Sequence, residues 1–197
     1  EAASDAEAVN RLNASVAELV PGAPLQEWQV HGYQPSDYCG FPDGLHVDSV
    51  GAPRRFLTAL VYLTTPEGGE TTFPLADAAE GTPLQASRTL LSAGVNHTRH
   101  GGDSAEASLL EALPPGAGVR VSPIAGDALL FFTAVPDEGK GMVIDPRSWH
   151  GGAAVGSGWK WTVQNFMEVP AGLSRADAAV YVGHIRDALI TSAVPTY

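Results

Sequence analysis

Short runs of β-branched and aromatic residues, separated by Gly, Pro and Asp turns, dominate residues 25–168. Such runs favour strands, and short strands with regular turn signals are typical of an antiparallel sandwich or barrel. The runs are "EWQVHGYQ", "RRFLTALVYLTT", "GGETTFP", "GVRVSP", "GDALLFFTA", "SWHGGAAV" and "WKWTVQNFMEV". The sequence therefore predicts a mainly β fold in which "RRFLTALVYLTT" forms a long central strand.

Helical patterns flank this β region. Apolar residues at helical spacing predict a first helix over 5–20, and a second stripe predicts a closing helix over 175–191. The first stripe consists of Val9, Leu12, Val16 and Leu19, and the second of Ala178, Tyr181, Ile185 and Leu189. Ser174 and Asp177 are typical of an N-cap for the closing helix. We expect a fold that is mainly β with flanking helices.

Residues 76–117 break the strand rhythm. They are rich in Ala, Gly and Ser and contain "NHTRHGGDS" and "AEASLLEAL", the latter a candidate helical turn. Loops of this length in compact domains are often lids or binding loops. The sequence predicts a long excursion from the β core here.

Length and charge limit the functions to consider. A chain of 197 residues suits one domain, 1–197, and no stretch approaches the ~18 unbroken apolar residues of a membrane span. The formal charge of −11 argues against nucleic-acid binding, which needs a basic face. Its one cysteine, Cys39, excludes an internal disulfide. The chain begins at Glu1 rather than Met, which is consistent with removal of a targeting segment, and the compartment stays open.

The stretch "LHVDS" places two metal-competent side chains two residues apart. Side chains of a strand alternate faces, so we expect His46 and Asp48 to point the same way. A third ligand is needed, and the candidates are His31, His97, His100, His150 and His184. His150 lies at the start of a late strand, in "SWHGG", whose glycines leave space. With His150, the set is the 2-His-1-carboxylate triad that suits non-haem Fe(II), although an H-x-D triplet alone also arises by chance.

Lys160 stands in "GWKWTVQNF", a strand otherwise dominated by apolar and aromatic side chains. Lysine is rarely buried without a partner, so a Lys160 directed into the barrel needs a carboxylate. A dicarboxylate co-substrate would provide one, whereas an outward-facing Lys160 would simply be solvated. Alternation puts Thr162, Gln164 and Phe166 on the face of Lys160. Because the opposite face is no more clearly apolar, periodicity leaves both alternatives open.

Five segments in their order and spacing resemble the prolyl 4-hydroxylase branch of the Fe(II)/2-oxoglutarate-dependent dioxygenases. They are "HVD", "RRFLTALVYLTTPEGGETTFP", "VSPIAGDALLFF", "SWHGG" and "GWKW", and the resemblance covers residues 25–168. It implies a double-stranded β-helix, or jelly roll. It also implies that His46, Asp48 and His150 bind Fe(II) and that Lys160 pairs with the distal carboxylate of 2-oxoglutarate.

The resemblance extends to further cavity residues. Tyr33 matches a family tyrosine of the co-substrate pocket. Tyr62 matches one that some members direct at the distal carboxylate, and a core tyrosine is the alternative. Thr72 is a candidate for contact with the co-substrate, although a sheet threonine needs no such role. Arg55 matches an arginine of the peptide groove, the alternative being a solvated arginine at a strand end.

Two departures from the family pattern concern the mouth of the site. The loop "CGFPDGL" between Tyr38 and His46 is longer than in most members. Phe166 occupies the position where many members carry a substrate-side tryptophan. The iron and 2-oxoglutarate residues are therefore better matched than those that would select a prolyl substrate.

The leading hypothesis is an Fe(II)/2-oxoglutarate-dependent hydroxylase of peptidyl proline that uses O₂, releases succinate and takes ascorbate as reductant. Asp48 argues against a halogenase, whose iron site commonly gives up the carboxylate. Two alternatives stay open. One is an oxygenase that hydroxylates a small molecule, and the other is a catalytically silent, metal-binding sensing module.

Overall fold

The computed structural model describes residues 2–35, 44–79, 81–92 and 117–192. Strands predominate, and helices flank them, so the prediction of a mainly β fold with flanking helices is confirmed. The helices are α1 (Ala2–Leu19), α2 (Thr82–Ser92) and α3 (Arg175–Ser192), with a 3₁₀ turn at Pro146–Ser148. The strands are β1 (Gln29–Tyr33), β2 (Arg55–Tyr62), β3 (Glu67–Gly68), β4 (Thr71–Phe73), β5 (Val119–Val121), β6 (Ala128–Phe132), β7 (Ala134–Asp137), β8 (Gly141–Ile144), β9 (Gly151–Gly152), β10 (Val155–Ser157) and β11 (Lys160–Glu168).

The main sheet has the strand order β1-β11-β2-β6, with every neighbouring pair antiparallel. Its two longest strands, β2 and β11, lie at the centre, where the longest apolar runs predict them. The register sets Lys160 opposite Tyr33 and sets Thr162 between His31 on one side and Tyr62 on the other. Because side chains alternate along each strand, these residues share one face of the sheet.

Three smaller sheets complete the β structure. They have the orders β5-β4-β9 and β10-β3 and the hairpin β7-β8. Strand β9 follows His150 directly. His46 and His150 form an isolated antiparallel bridge in which each backbone N–H donates to the other residue's carbonyl at 2.9 Å. This bridge joins the early and late segments that carry the candidate metal ligands.

The expectation that "LHVDS" forms a strand is wrong beyond His46. Asp48 opens a turn, in which Val50 N–H donates to Val47 C=O at 3.1 Å and Ala52 N–H donates to Ser49 C=O at 3.1 Å. The backbone groups after the bridge are thus satisfied locally and need no partner strand. His46 and Asp48 still converge, but the turn causes this rather than strand alternation.

The larger hydrophobic core lies between the main sheet and the two long helices. Its strand members include Phe56, Leu57 and Met167, all fully buried. Helix α3 adds Ala178, Val182 and Ile185, while Val16 and Val20 come from α1 and the residue after it. Asp177 N–H donates to Ser174 Oγ at 3.2 Å, which is the N-cap that the sequence predicts for α3.

A second core supports the metal-ligand segments. Leu45 and Val47, which flank His46, are buried with Trp149, which precedes His150. Helix α2 covers them through Ala86 and Leu90, and Trp149 Nε1 donates to Ser87 Oγ at 2.9 Å. The excursion predicted for 76–117 therefore contains a packed helix, while "AEASLLEAL" lies outside the described residues. Among the described helices, none combines the length and apolar character that a membrane crossing requires.

Candidate functional site

Three side chains converge at the bridge between the two core segments. One donor atom from each of His46, Asp48 and His150 lies within 4.8 Å of the others. His46 Nε2 is 3.4 Å from Asp48 Oδ1, and His150 Nε2 is 3.8 Å from Asp48 Oδ2. Two imidazoles and a carboxylate that meet in this way can hold a divalent metal ion.

Hydrogen bonds around the triad orient each donor atom. His46 Nδ1 lies 2.6 Å from Gly44 C=O, and His150 Nδ1 lies 2.9 Å from Ser148 C=O. A carbonyl only accepts, so each Nδ1 carries the proton and each Nε2 keeps its lone pair for the centre of the triad. Thr58 Oγ1 donates to Asp48 Oδ2 at 2.6 Å and fixes the carboxylate.

Burial and mutual charge shift the pKa values within the triad. Burial lowers the pKa of His150 to about 4 despite the opposing attraction of Asp48, so this imidazole is neutral at pH 7. Burial also acts to lower the pKa of His46, but its hydrogen bond and charge interaction with Asp48 outweigh burial and raise it. The pKa of Asp48 is lowered because contacts with the two histidines and Thr58 outweigh its burial.

The residues present fit a ferrous ion. The donor set is two neutral-capable imidazole nitrogens and one ionised carboxylate, and its outer contacts hold the ligating tautomer of both histidines. Three protein ligands leave coordination positions open for further ligands. His150 is also packed between Phe73, at 5.4 Å between ring centroids, and Phe131, at 4.7 Å, which limits its rotation.

A cavity of about 510 Å³ opens from the triad across the inner face of the main sheet. Strand β1 contributes Gln29, His31 and Tyr33 to its lining. Strand β11 contributes Lys160, Thr162, Gln164 and Phe166, the face that alternation from Lys160 predicts. The β9 segment after His150 adds Gly151 and Gly152, so the glycines of "SWHGG" do leave space.

Lys160 is buried in this cavity, with 5% of its surface exposed. Nζ lies 5.6 Å from the ring centroid of Tyr33 and 5.9 Å from that of Tyr62. A Cβ on Gly152 would lie 3.7 Å from Nζ. Among the described residues, no hydrogen bond or salt bridge reaches this ammonium group. Burial lowers the pKa of Lys160 to about 8, although the charge of Glu70 opposes that shift.

Arg55 and Phe166 lie in contact with each other on the cavity wall. The guanidinium carbon of Arg55 lies 4.0 Å from the ring centroid of Phe166, a cation–π contact. Its Nη1 donates to Asp48 C=O at 3.3 Å and its Nη2 donates to Gln26 Oε1 at 3.1 Å. Arg55 is therefore tied to the backbone of a triad residue and is not a solvated strand-end side chain.

Tyr62 and Thr72 sit less directly at the cavity. The Tyr62 hydroxyl shares a hydrogen bond with Thr71 Oγ1 at 2.8 Å, and Tyr62 is 1% exposed. Within the described part of the chain, Thr71 lines the cavity and neither Thr72 nor Tyr62 does. The Oγ1 of Thr72 is buried and has no hydrogen-bond partner among the residues that the structure describes. Tyr62 thus lies next to Lys160 but is separated from the cavity by Thr71.

Sequence reasoning missed several residues that support the site. Thr58, which positions Asp48, and Thr71, which contacts Tyr62, lie on strands whose threonines look ordinary in sequence. Gln29 lines the cavity on the face of Tyr33, so alternation from Tyr33 could have found it. Nothing local marks Thr58, because its role depends on a contact with a turn formed earlier in the chain.

The other candidate histidines differ in position. His31 lines the cavity but is not part of the three-residue group. His184 is exposed on α3. His97 and His100 lie outside the described residues, as do Tyr38 and Cys39.

The curated proteins to which this chain is similar are named as prolyl 4-hydroxylases. No protein-family model matches the chain. It is 34% identical over 124 residues to "Probable prolyl 4-hydroxylase 4" of Arabidopsis thaliana, covering 62% of this chain and 34% of that protein. It is 32% identical over 161 residues to "Prolyl 4-hydroxylase 1" of the same plant, covering 80% of this chain and 46% of the relative. The chain thus spans less than half the length of these curated relatives.

Among solved structures, the chain is similar to the viral collagen prolyl hydroxylase of Paramecium Bursaria Chlorella virus-1. The identity is 21%, the TM-score is 0.45, and the match covers 82% of this chain and 65% of that one. The resemblance to prolyl 4-hydroxylases that the sequence motifs indicate is confirmed by the curated relatives.

Proposed function

Because the chain is related by sequence to the prolyl 4-hydroxylase branch of the Fe(II)/2-oxoglutarate-dependent dioxygenases, we propose that it is a 2-oxoglutarate-dependent hydroxylase of peptidyl proline. Its strands would then form the double-stranded β-helix of that family. The main sheet would be one wall, and the smaller sheets would form the facing wall around the cavity. His46, Asp48 and His150 would bind Fe(II) through the donor atoms that converge in the structure.

The observation that carries this proposal is the buried ammonium of Lys160, which has no hydrogen bond or salt bridge to the described residues and lies in the same cavity as the triad. A buried cation without a carboxylate costs free energy, and a ligand that supplies the carboxylate recovers it. 2-Oxoglutarate has a carboxylate at each end. One end of this diacid would reach the metal while the other pairs with Lys160, beside Tyr33 and Tyr62. Thr72 would act only indirectly, through its strand neighbour Thr71.

Iron, when bound, supplies the oxidative chemistry: 2-oxoglutarate, O₂ and a C–H bond of the substrate become succinate, CO₂ and a C–OH bond. The chain's residues bind and orient the reactants. Thr58 and the carbonyls of Gly44 and Ser148 hold the three ligands in their donor orientation. Phe73 and Phe131 pack around His150 and exclude water from that side of the triad. Ascorbate would serve as the reductant that keeps iron ferrous.

The substrate would enter beside Arg55 and Phe166, which line the cavity next to the triad. An aromatic ring covered by a guanidinium offers a flat surface for a proline ring, and it stands where many family members carry tryptophan. A proline-containing peptide therefore fits this wall. The chain's net charge of −11 disfavours nucleic acid as a partner and is compatible with a neutral or basic peptide.

Release of succinate from 2-oxoglutarate under air, with Fe(II) and ascorbate, tests this function. We expect turnover that rises severalfold when a proline-rich peptide is added and a mass increase of one oxygen on the peptide. Co-substrate binding without turnover on any peptide or small molecule would contradict the hydroxylase and favour a metal-binding sensing module. Turnover that only a small molecule stimulates would instead favour a small-molecule oxygenase.

A further inference from the structure

His31 is a half-buried histidine in the cavity that the proposed chemistry does not use. It lies on β1 between Gln29 and Tyr33, and all three line the cavity. The intervening Val30 is 63% exposed, so alternation directs the imidazole inward. His31 is separate from the three residues whose donor atoms converge, so it is not a fourth ligand of that group.

The imidazole of His31 has no hydrogen-bond partner among the described residues. Its Nε2 is enclosed, and this part of the chain provides a partner neither for Nε2 nor for Nδ1. The ring contact that the structure does provide is to Tyr33, at 6.4 Å between centroids and 20° between planes. An enclosed polar atom without a partner lowers stability, so folding does not explain this imidazole, and its other ring nitrogen is left for a ligand of the cavity.

The proton of neutral His31 belongs on Nδ1. An enclosed N–H without an acceptor is rarer, and costs more, than an enclosed nitrogen lone pair. The enclosed Nε2 therefore keeps its lone pair, and Nδ1–H is left as a donor on the less enclosed edge of the ring. Such a donor suits a carbonyl oxygen.

The position of His31 favours a carbonyl of the substrate over the co-substrate. In the register of the sheet, Tyr33 faces Lys160 at the diacid end, and His31 faces Thr162 one step away. The next step brings Gln29 against Gln164, whose Nε2 lies 3.4 Å from Gln29 Oε1. Side chains at alternate positions of a strand are about 6.6 Å apart, which is also the repeat of carbonyls on one side of an extended peptide.

We propose that His31 is a substrate-positioning residue that donates a hydrogen bond from Nδ1 to a backbone carbonyl oxygen of a peptide lying along β1, with Gln29 beside it. This inference rests on the proposed function, since it takes a peptide as the substrate. The Nδ1–H of His31, which has no partner among the described residues of the free protein, gains an acceptor when the peptide binds, while the enclosed Nε2 keeps its lone pair.

The test measures binding of a fluorescein-labelled Ala-Lys peptide with one central proline, which can adopt the extended conformation, by fluorescence anisotropy, with the protein loaded with Mn²⁺ and 2-oxoglutarate. His31→Leu removes both ring nitrogens at similar size, and we expect the peptide Kd to rise about tenfold. His31→Asn returns a donor near the position of Nδ1, and the peptide Kd should recover to within about threefold of wild type. His184→Leu, at an exposed site on α3, is the control and should leave binding unchanged.

Thermal melting separates positioning from a structural role. We expect His31→Leu to melt at the same temperature as the wild type or higher, because it removes an enclosed polar atom that has no partner. A fall in melting temperature together with weaker peptide binding would overturn the inference. An unchanged peptide Kd, or a loss confined to 2-oxoglutarate affinity, would also overturn it. If the wild type itself binds no peptide, the peptide step of the proposed function has failed, and the inference fails with it.

Discussion

The two faces of the main sheet are built by the same strands but carry opposite kinds of side chain. On the helix side, Leu57 of β2 pairs with Met167 of β11, and both are fully buried in the larger hydrophobic core. On the cavity side, Thr58 alternates with Leu57, and Lys160 and Thr162 are buried at the other end of β11. One face is apolar and closed, whereas the other is polar, buried and open to a cavity.

This difference separates stability from function within one sheet. Fully burying a large apolar side chain contributes roughly 1.5–3 kcal/mol, so the helix side stabilises the fold. The cavity side holds groups without a hydrogen-bond partner in the part of the chain that the structure describes, among them the ammonium of Lys160 and the enclosed nitrogens His31 Nε2 and Arg55 Nε. Unpaired buried polar groups oppose folding, so these side chains are explained by ligands and not by stability.

The largest expected effect lies on the cavity side, at the triad. His150→Ala removes an imidazole ligand, and we expect affinity for Mn²⁺ to fall by at least about a thousandfold, since loss of outer contacts alone costs roughly 10- to 100-fold. Isothermal titration calorimetry measures this, with the exposed His184→Ala as control. Wild-type affinity in His150→Ala would mean that the metal binds elsewhere.

On the helix side, Phe56→Ala should lower the free energy of unfolding by about 3–5 kcal/mol, because Phe56 is fully buried in the larger core. Urea denaturation measures the change. Leu63→Ala, at a site 47% exposed just beyond β2, is the matched control and should cost far less. Mn²⁺ affinity of folded Phe56→Ala should stay near wild type, and a large loss of it would break the separation between the faces.

Lys160→Met should weaken 2-oxoglutarate binding by about a hundredfold, because it removes a charged partner for the distal carboxylate. The metal-free variant should be as stable as the wild type or more so, since a buried charge without a partner is replaced by an apolar side chain. Calorimetric titration of 2-oxoglutarate in the presence of Mn²⁺ provides the affinity, with the exposed Lys140→Met as control. Unchanged co-substrate affinity would remove Lys160 from the site.

A smaller effect should appear as pH rises. With a pKa of about 8, the ammonium of Lys160 is mostly protonated at pH 7 and about one-tenth protonated at pH 9. Since the diacid binds the charged form, 2-oxoglutarate affinity should fall about tenfold between these pH values. Titrations across this range with Mn²⁺ present measure the slope. The same slope in Lys160→Met would assign the pH dependence to another group.

The sequence predicts the elements that show a local pattern, such as an apolar run, an alternation or a cap. The long run of β2, the alternation along β11 and the cap of α3 at Ser174 are all visible in sequence. The sequence does not predict helix α2, because this segment is rich in small and polar residues. It is held by tertiary contacts, such as Trp149 with Ser87, that no local pattern contains.

The site likewise has features that the sequence predicts and features that depend on tertiary structure. The place of His150 in a late segment favours it as third ligand, and the structure brings it beside His46 through an isolated backbone bridge. Strand alternation was the wrong reason for the convergence of His46 and Asp48, because a turn does this. The orientation of Lys160 could not be decided from β11, since the strand's two faces look alike in sequence and only the packing of α1 and α3 distinguishes them.

A crystal structure of the protein grown with Mn²⁺ and 2-oxoglutarate tests the central claim most directly. We predict an anomalous-scattering peak for Mn²⁺ between His46 Nε2, the Asp48 carboxylate and His150 Nε2. The distal carboxylate of 2-oxoglutarate should lie at Lys160 Nζ. Metal bound away from this triad, or a diacid whose distal carboxylate avoids Lys160, would contradict it.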